Sequence, residues 1–291
     1  MFKGSFVAIV TPFRDGQLDE AALRQLLEFH LENGTNGIVP CGTTGESPTL
    51  SHDEYERVIE ITVEMVHGRL PVIAGTGFNS TDKTIEATRF AKHAGAEAAL
   101  IVTPYYNRPT PEGVYQHFAA VAKAVDIPIV VYNIPGRTGT NILPDTMARL
   151  ARHRNIVGVK DATANLARPL HTRRACGEAF CQLSGEDHTV VAFLGAGGHG
   201  CISVTANVAP RLCADMQRAW REGRVGEAIA IQDRLLPLHD ALFCETSPGP
   251  VKYAASLLEK STEHCRLPLA PVGEHNKARI REAMVSSGLL N

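Results

Sequence analysis

No apolar run in this sequence approaches the roughly 18 residues that a membrane-spanning helix needs, so no membrane partner is expected. No block of one charge is present either: 29 basic and 31 acidic side chains leave a formal charge of −2. That balance argues against nucleic acid as a partner, because phosphate backbones select for clustered Lys and Arg. The seven cysteines (Cys41, Cys176, Cys181, Cys201, Cys213, Cys244, Cys265) are odd in number and contain no C-x-x-C. A secreted disulfide scaffold is thereby excluded, and reduced, mostly buried thiols of a cytoplasmic protein are expected. Missing too are G-x-x-x-x-G-K-[ST], H-E-x-x-H and G-x-S-x-G. The twelve histidines are scattered without metal-ligand spacing, so no metal is expected. Gly 25 and Pro 17 in 291 residues fall well short of a low-complexity chain.

What is present is a regular alternation. Eight short apolar, β-branched runs read as strands: 5–13, 36–42, 71–77, 98–104, 128–135, 156–162, 179–185 and 200–205. Being apolar on both faces, they suit a parallel sheet buried on both sides. The first, GSFVAIVTPF, reads better as a strand than as a signal h-region, since no small-x-small cleavage site follows it. Helix punctuation fills the gaps. Ser51 and Glu54 form a capping box for a helix over 52–67, Thr110 and Pro111 supply a cap and a first-turn proline, and Gly34 and Gly95 mark helix ends. Eight βα repeats predict a (β/α)8 TIM barrel over residues 1–223, whereas a six-stranded doubly wound sheet would leave strands over. Residues 224–291 carry only helical periodicity and read as a C-terminal helical extension, too short to be an independent domain.

In such a barrel the chemistry sits at the C-terminal ends of the strands. Those ends offer Thr43 and Thr44, Tyr105 and Tyr106, Tyr132 with Arg137 beyond it, and Lys160. Lys160 interrupts the apolar strand IVGVKDA, as no other lysine does. A buried amine loses charge stabilisation and becomes a nucleophile able to condense with a ketone; a structural ion pair with Asp161 or another carboxylate is the alternative. Lys252 also has apolar neighbours, but on a helix, where its stem is expected to snorkel to water. Arg137, in the Pro- and Gly-shaped loop YNIPGRTG, could clamp a carboxylate with two parallel hydrogen bonds or simply be a solvated loop arginine. Tyr132 is a proton relay or a packed strand tyrosine. CGTTGES offers hydroxyls and glycine-exposed amides to a small carboxylate, unless it is a plain turn. Two motifs mislead. GAGGHG (195–200) matches G-x-G-x-x-G but leads into a strand rather than opening a helix, and Asn79 heads a sequon by letter only.

Taken as a set, CGTTGES (41–47), TPYYNRPT (103–110), VVYNIPGRTG (130–139) and VGVKDA (157–162) resemble the signatures of the dihydrodipicolinate synthase (4-hydroxy-tetrahydrodipicolinate synthase) family, within the pyruvate-dependent class I aldolases. The resemblance runs over essentially the whole chain, and the arginine of YNIPGRTG points away from N-acetylneuraminate lyase and sugar-acid aldolases. It implies a lyase of lysine biosynthesis by the diaminopimelate route. Lys160 would form a Schiff base with pyruvate, and the enamine would attack L-aspartate 4-semialdehyde. Tyr132, Thr43 and Tyr106 would relay protons, Tyr106 reaching in from a neighbouring subunit of a homo-oligomer, commonly a tetramer. Thr44 would hold the pyruvate carboxylate, Arg137 that of the semialdehyde, and the Ile202 carbonyl would line the pocket. No organic cofactor is implied, because the imine is itself the electron sink. Ser47, His52, Asn79 and Tyr105 match a lysine-effector pattern from which Lys83 and Tyr55 depart, Lys83 standing where glutamate is usual. Weak or absent lysine inhibition is therefore expected. A nucleotide-dependent oxidoreductase using GAGGHG and a catalytically silent barrel are the rivals from other classes.

Overall fold

The structure, a computed structural model, describes residues 2–291. All eight expected strands form, each shorter than its apolar run. In chain order the elements are β1 (Gly4–Ala8), α1 (Glu20–Glu32), β2 (Gly37–Val39), α2 (His52–Val66), β3 (Ile73–Gly75), α3 (Thr81–Ala94), β4 (Ala98–Val102), α4 (Pro111–Ala124) and β5 (Ile129–Asn133). There follow α5 (Pro144–Leu150), β6 (Ile156–Asp161), α6 (Arg168–Cys176), β7 (Cys181–Ser184), α7 (Val190–Gly195), β8 (Gly200–Ser203) and α8 (Pro210–Arg221). Three further helices, α9 (Val225–Leu242), α10 (Gly249–Leu257) and α11 (Glu274–Ser286), fill the C-terminal segment, where only helical periodicity was read.

The expected punctuation is in place. Ser51 Oγ accepts from the Glu54 amide while the Glu54 carboxylate accepts from the Ser51 amide, closing the capping box. Thr110 caps α4 with Pro111 in its first turn, and Gly95 ends α3 in the left-handed region that a Cβ disfavours.

The chain divides into two compact units. One comprises Pro71–Ile202 with Phe2 and Lys3; the other comprises Gly4–Leu70 and Ser203–Asn291. In the first, the strands lie in the order β3, β4, β5, β6, β7, β8, each parallel to its neighbour. Parallel neighbours need crossovers, and the intervening helices supply them. Helices α4 and α5 cover β4 to β6, burying Ile101, Phe118, Val131, Leu150 and Val159 in one core. In the second unit β1 pairs with β2 in parallel, Val7 opposite Ile38. There α8 packs on β1, α9 on α8 and α11, and α10 on α11. The buried Asn207 side chain fastens this unit, accepting from the Val10 amide at 3.0 Å and donating to the Ala8 carbonyl at 2.8 Å. All seven cysteines are free, four buried and three partly so.

Candidate active site

In the first unit the candidate residues lie at or just beyond the C-terminal strand ends. Parallel pairing puts Tyr132 of β5 level with Lys160 of β6. The Lys160 side chain is inside, with 6% of the residue exposed, and its Nζ lies 4.2 Å from the centre of the Tyr132 ring. The Asp161 alternative is not what forms: that carboxylate accepts from the Thr163 amide and hydroxyl and lies 3.5 Å from the Arg168 guanidinium. Tyr132 is held by its backbone, since both the amide and the hydroxyl of Thr103 donate to its carbonyl at 3.0 Å.

Ile202 sits at the end of β8, 1% exposed, one residue past the Cys201–Ser184 pairing. Arg137 is exposed on the single turn Pro135–Thr138, four residues beyond β5. Tyr105 is half-buried; the Asn79 backbone amide hydrogen-bonds its hydroxyl, and burial raises its pKa. Asn79 and Tyr105 are thus brought together, and Asn107 also donates to the Asn79 carbonyl at 3.1 Å. Tyr106 is the reverse case: it is 90% exposed and held at φ +72°, a strained conformation for a bulky residue.

Three residues with a bearing on this end of the sheet escaped the sequence reading. Asn133, fully buried, accepts from the Ile142 amide and donates to Asn141 Oδ1, both at 3.0 Å, so it pins the far end of the Arg137 loop. A Cβ on Gly185 would come within 2.7 Å of the Ala162 Cβ and 3.1 Å of the Lys160 Cε, so the lysine stem has its room because this residue is glycine. Glu186 is raised above the usual carboxylate range, chiefly by burial and then by Asp187, with Lys160 opposing. The glycine was readable in SGEDH; its closeness to Lys160 was not, because that depends on β6–β7 register.

In the second unit, CGTTGES folds as a tight turn after β2. Thr44 is buried and Thr43 half-buried. Cys41 and Glu46 both adopt φ +54°, unusual for residues with a Cβ. The Glu46 amide donates to the Thr43 carbonyl at 3.1 Å, and Thr11 Oγ1 donates to the Gly45 carbonyl at 2.7 Å. Ser47 is half-buried, while His52 is exposed beside Glu56 at 3.4 Å. Tyr55 is buried, which raises its pKa well above the ordinary value. Lys83, in the first unit, is exposed on α3.

The snorkelling expectation for Lys252 is overturned. Its residue is 0% exposed, and its Nζ donates to Glu46 Oε1 at 2.7 Å and to the Thr11 carbonyl at 2.9 Å. Burial lowers its pKa, and the Glu46 charge opposes that. GAGGHG behaves as expected, carrying the chain from the end of α7 into β8. Its His199 ring nitrogen accepts from the Gln182 amide at 3.1 Å. Among the described residues no group of three or more His, Cys, Asp or Glu could hold a metal ion. No helix among them is long and apolar enough to cross a membrane.

Against known proteins, residues 1–286 match the model of the dihydrodipicolinate synthetase family. A 4-hydroxy-tetrahydrodipicolinate synthase of Acidiphilium cryptum is 62% identical over 291 residues, the full length of both chains. The pyruvate complex of the chloride-inhibited dihydrodipicolinate synthase from Acinetobacter baumannii superposes with a TM-score of 0.97, at 44% identity and 100% coverage of both chains. A monomeric dihydrodipicolinate synthase variant gives the same TM-score at 43% identity, covering 99% of this chain and 98% of that one. Likeness at this level makes the fold the one expected, a (β/α)8 barrel with C-terminal helices.

Proposed function

The chain belongs to the dihydrodipicolinate synthetase family, and on that premise we propose that Lys160 carries a Schiff-base condensation of pyruvate with L-aspartate 4-semialdehyde. The activity is that of a 4-hydroxy-tetrahydrodipicolinate synthase, a lyase of the class I aldolase type in the diaminopimelate route to lysine. The observation that supports Lys160 is its placement: an amine inside the strand ends, against the Tyr132 ring, whose neighbouring carboxylate is taken up by Arg168 and Thr163.

The Lys160 nitrogen adds to the pyruvate ketone carbon, and loss of water gives the protonated imine. That imine is an electron sink, so a methyl proton leaves to the tyrosine relay and an enamine forms. The enamine carbon bonds to the aldehyde carbon of the semialdehyde, whose oxygen takes up a proton. The semialdehyde amine then adds to the imine carbon and releases Lys160, closing the ring. One water leaves per product formed, and the lysine returns unchanged. Tyr132, Thr43 and Tyr106 relay the protons. Thr44 and its turn receive the pyruvate carboxylate, Arg137 receives that of the semialdehyde, and the Ile202 carbonyl lines the pocket. No organic cofactor enters this scheme. Residues 1–223 form the catalytic barrel and residues 224–291 its extension, in a cytoplasmic enzyme.

Tyr106 also supports a homo-oligomer, a tetramer by resemblance: a tyrosine 90% exposed in a strained conformation has its packing partner elsewhere. Two inactive variants test it. Mixed after dissociation and reassociation, Tyr106→Phe and Lys160→Met should regain about a quarter of the activity if Tyr106 serves a neighbour's Lys160. Half of randomly formed pairs are mixed, and one of the two sites in each is complete. No recovery would mean that Tyr106 acts within its own chain.

Borohydride trapping with pyruvate, read by peptide mass spectrometry and followed by turnover with the semialdehyde, tests the whole scheme. Label on Lys160 together with product is the expected result. Label without semialdehyde turnover would move the second substrate to a sugar acid, and no label would make the amine structural.

A further inference from the structure

The buried pair Lys252–Glu46 has no place in that chemistry, yet it ends on the turn assigned to the pyruvate carboxylate. Lys252 comes from α10, more than 200 positions after Glu46, and the two side chains are 0% and 1% exposed. Its Nζ also reaches the Thr11 carbonyl and lies 4.4 Å from the centre of the Phe13 ring. The second Glu46 oxygen accepts from the Arg266 amide at 2.9 Å. The Arg266 guanidinium lies 4.1 Å from the same Phe13 ring and grips Glu54, the Thr49 carbonyl and the Gly16 carbonyl. Both Glu46 oxygens are therefore held by the C-terminal segment.

Glu46 itself stands at φ +54°, a conformation that a residue with a Cβ keeps only where its surroundings over-determine it. Its amide fixes the Thr43 carbonyl, while its own carbonyl accepts from the Thr49 amide and hydroxyl at 3.0 Å. The side-chain grip is thus transmitted to the backbone that carries Thr43 and Thr44. Stability alone does not call for such a pair, since well-packed apolar side chains of similar volume commonly serve as well or better. What a buried charge pair supplies, and apolar packing does not, is a fixed direction for the Glu46 carboxylate.

We infer that Lys252 is a positioning residue: through Glu46 it holds the 41–47 turn in the shape that receives the pyruvate carboxylate, without itself touching substrate. This rests on the reading of that turn as the carboxylate cradle. The test is the pyruvate concentration that half-saturates borohydride trapping, measured on the full-length enzyme and on Lys252→Met, together with the KM of the semialdehyde. The half-saturating pyruvate concentration should rise at least threefold while the semialdehyde KM changes less. An increase below threefold, or an equal rise in both constants, overturns the inference, because general loosening would move both. Where Lys252→Met does not fold, Lys252→Met with Glu46→Gln removes the unpaired buried charge and is judged by the same limits. If that variant also fails to fold, hydrogen exchange on the unaltered enzyme decides: pyruvate should protect peptides from 249–257 along with those from 41–47, and protection of 41–47 alone overturns the inference. An unaltered enzyme that pyruvate does not label would instead sink the Schiff-base reading on which the inference stands.

Discussion

Asn133 offers a way to disturb the second substrate while leaving the first alone. Its side chain is fully buried and makes two hydrogen bonds, one accepted from the Ile142 amide and one donated to Asn141. Replacing it with alanine strands the Ile142 N–H, itself in a buried residue, at roughly 1–3 kcal/mol, and loses a second bond worth about 1 kcal/mol. A total near 3 kcal/mol is expected. With an unfolding entropy of about 2.1 cal/mol/K per residue, a chain of this length loses stability at roughly 0.6 kcal/mol per degree. The predicted fall in Tm is then about 5 °C, too little to unfold the enzyme at assay temperature. The functional effect should fall on one substrate, because the Arg137 turn loses its far anchor. A tenfold rise in the semialdehyde KM, about 1.4 kcal/mol, is expected, with half-saturation of pyruvate trapping within twofold of the parent. Steady-state kinetics with varied semialdehyde, run beside a thermal melt, reads both. A 5 °C loss with an unchanged semialdehyde KM would refute the idea that Asn133 aims Arg137.

Acid should weaken the fold well above the carboxylate range. Burial lowers His30 from 6.5 to about 3 and His117 to about 4, so below pH 6.5 the unfolded chain takes up protons that the folded one refuses. At pH 5 each contributes roughly 2 kcal/mol of lost stability relative to pH 7; a urea midpoint unchanged between the two would contradict this. Glu54, held at about 2 by Arg266, acts in the same direction lower down, its contribution present above about 4.5 and lost as pH falls towards 2. Gly185→Ala should cut kcat/KM at least tenfold by displacing the Lys160 stem, and an unimpaired variant would show that the stem has other room. Lysine should inhibit weakly, because in the effector pattern that the resemblance implies Lys83 puts an ammonium where a carboxylate would attract the ligand's own; an inhibition constant below roughly a millimolar would overturn that. Reversal with Lys83→Glu would support it.

How much of this was legible in the residues depended on distance along the chain. Strand runs, the Ser51–Glu54 capping box and the Thr110–Pro111 helix start are properties of a few adjacent residues, and all of them form. Lys160 was legible for a related reason: a charged residue inside an apolar strand is anomalous within its own heptapeptide. Lys252 was not. On a helix with apolar neighbours, a snorkelling lysine and a buried one leave the same local pattern, and what buries this one is Glu46, 206 positions earlier. Asn133 and Gly185 were hidden in the same way. An asparagine closing a strand and a glycine opening a loop are unremarkable until the returning loop brings Asn141 and Ile142 onto the first and β6–β7 register sets the second against the Lys160 stem. Local anomaly therefore marked the residue proposed to meet the substrate, whereas Lys252, Asn133 and Gly185 stand out only through their partners. Of these, Lys252 carries the sharper consequence. It ties a helix assigned to an extension onto the turn after the second strand, within one compact unit. The boundary at residue 223 thus divides the chain by periodicity, while the bonds from Lys252 and Arg266 to Glu46 run across it.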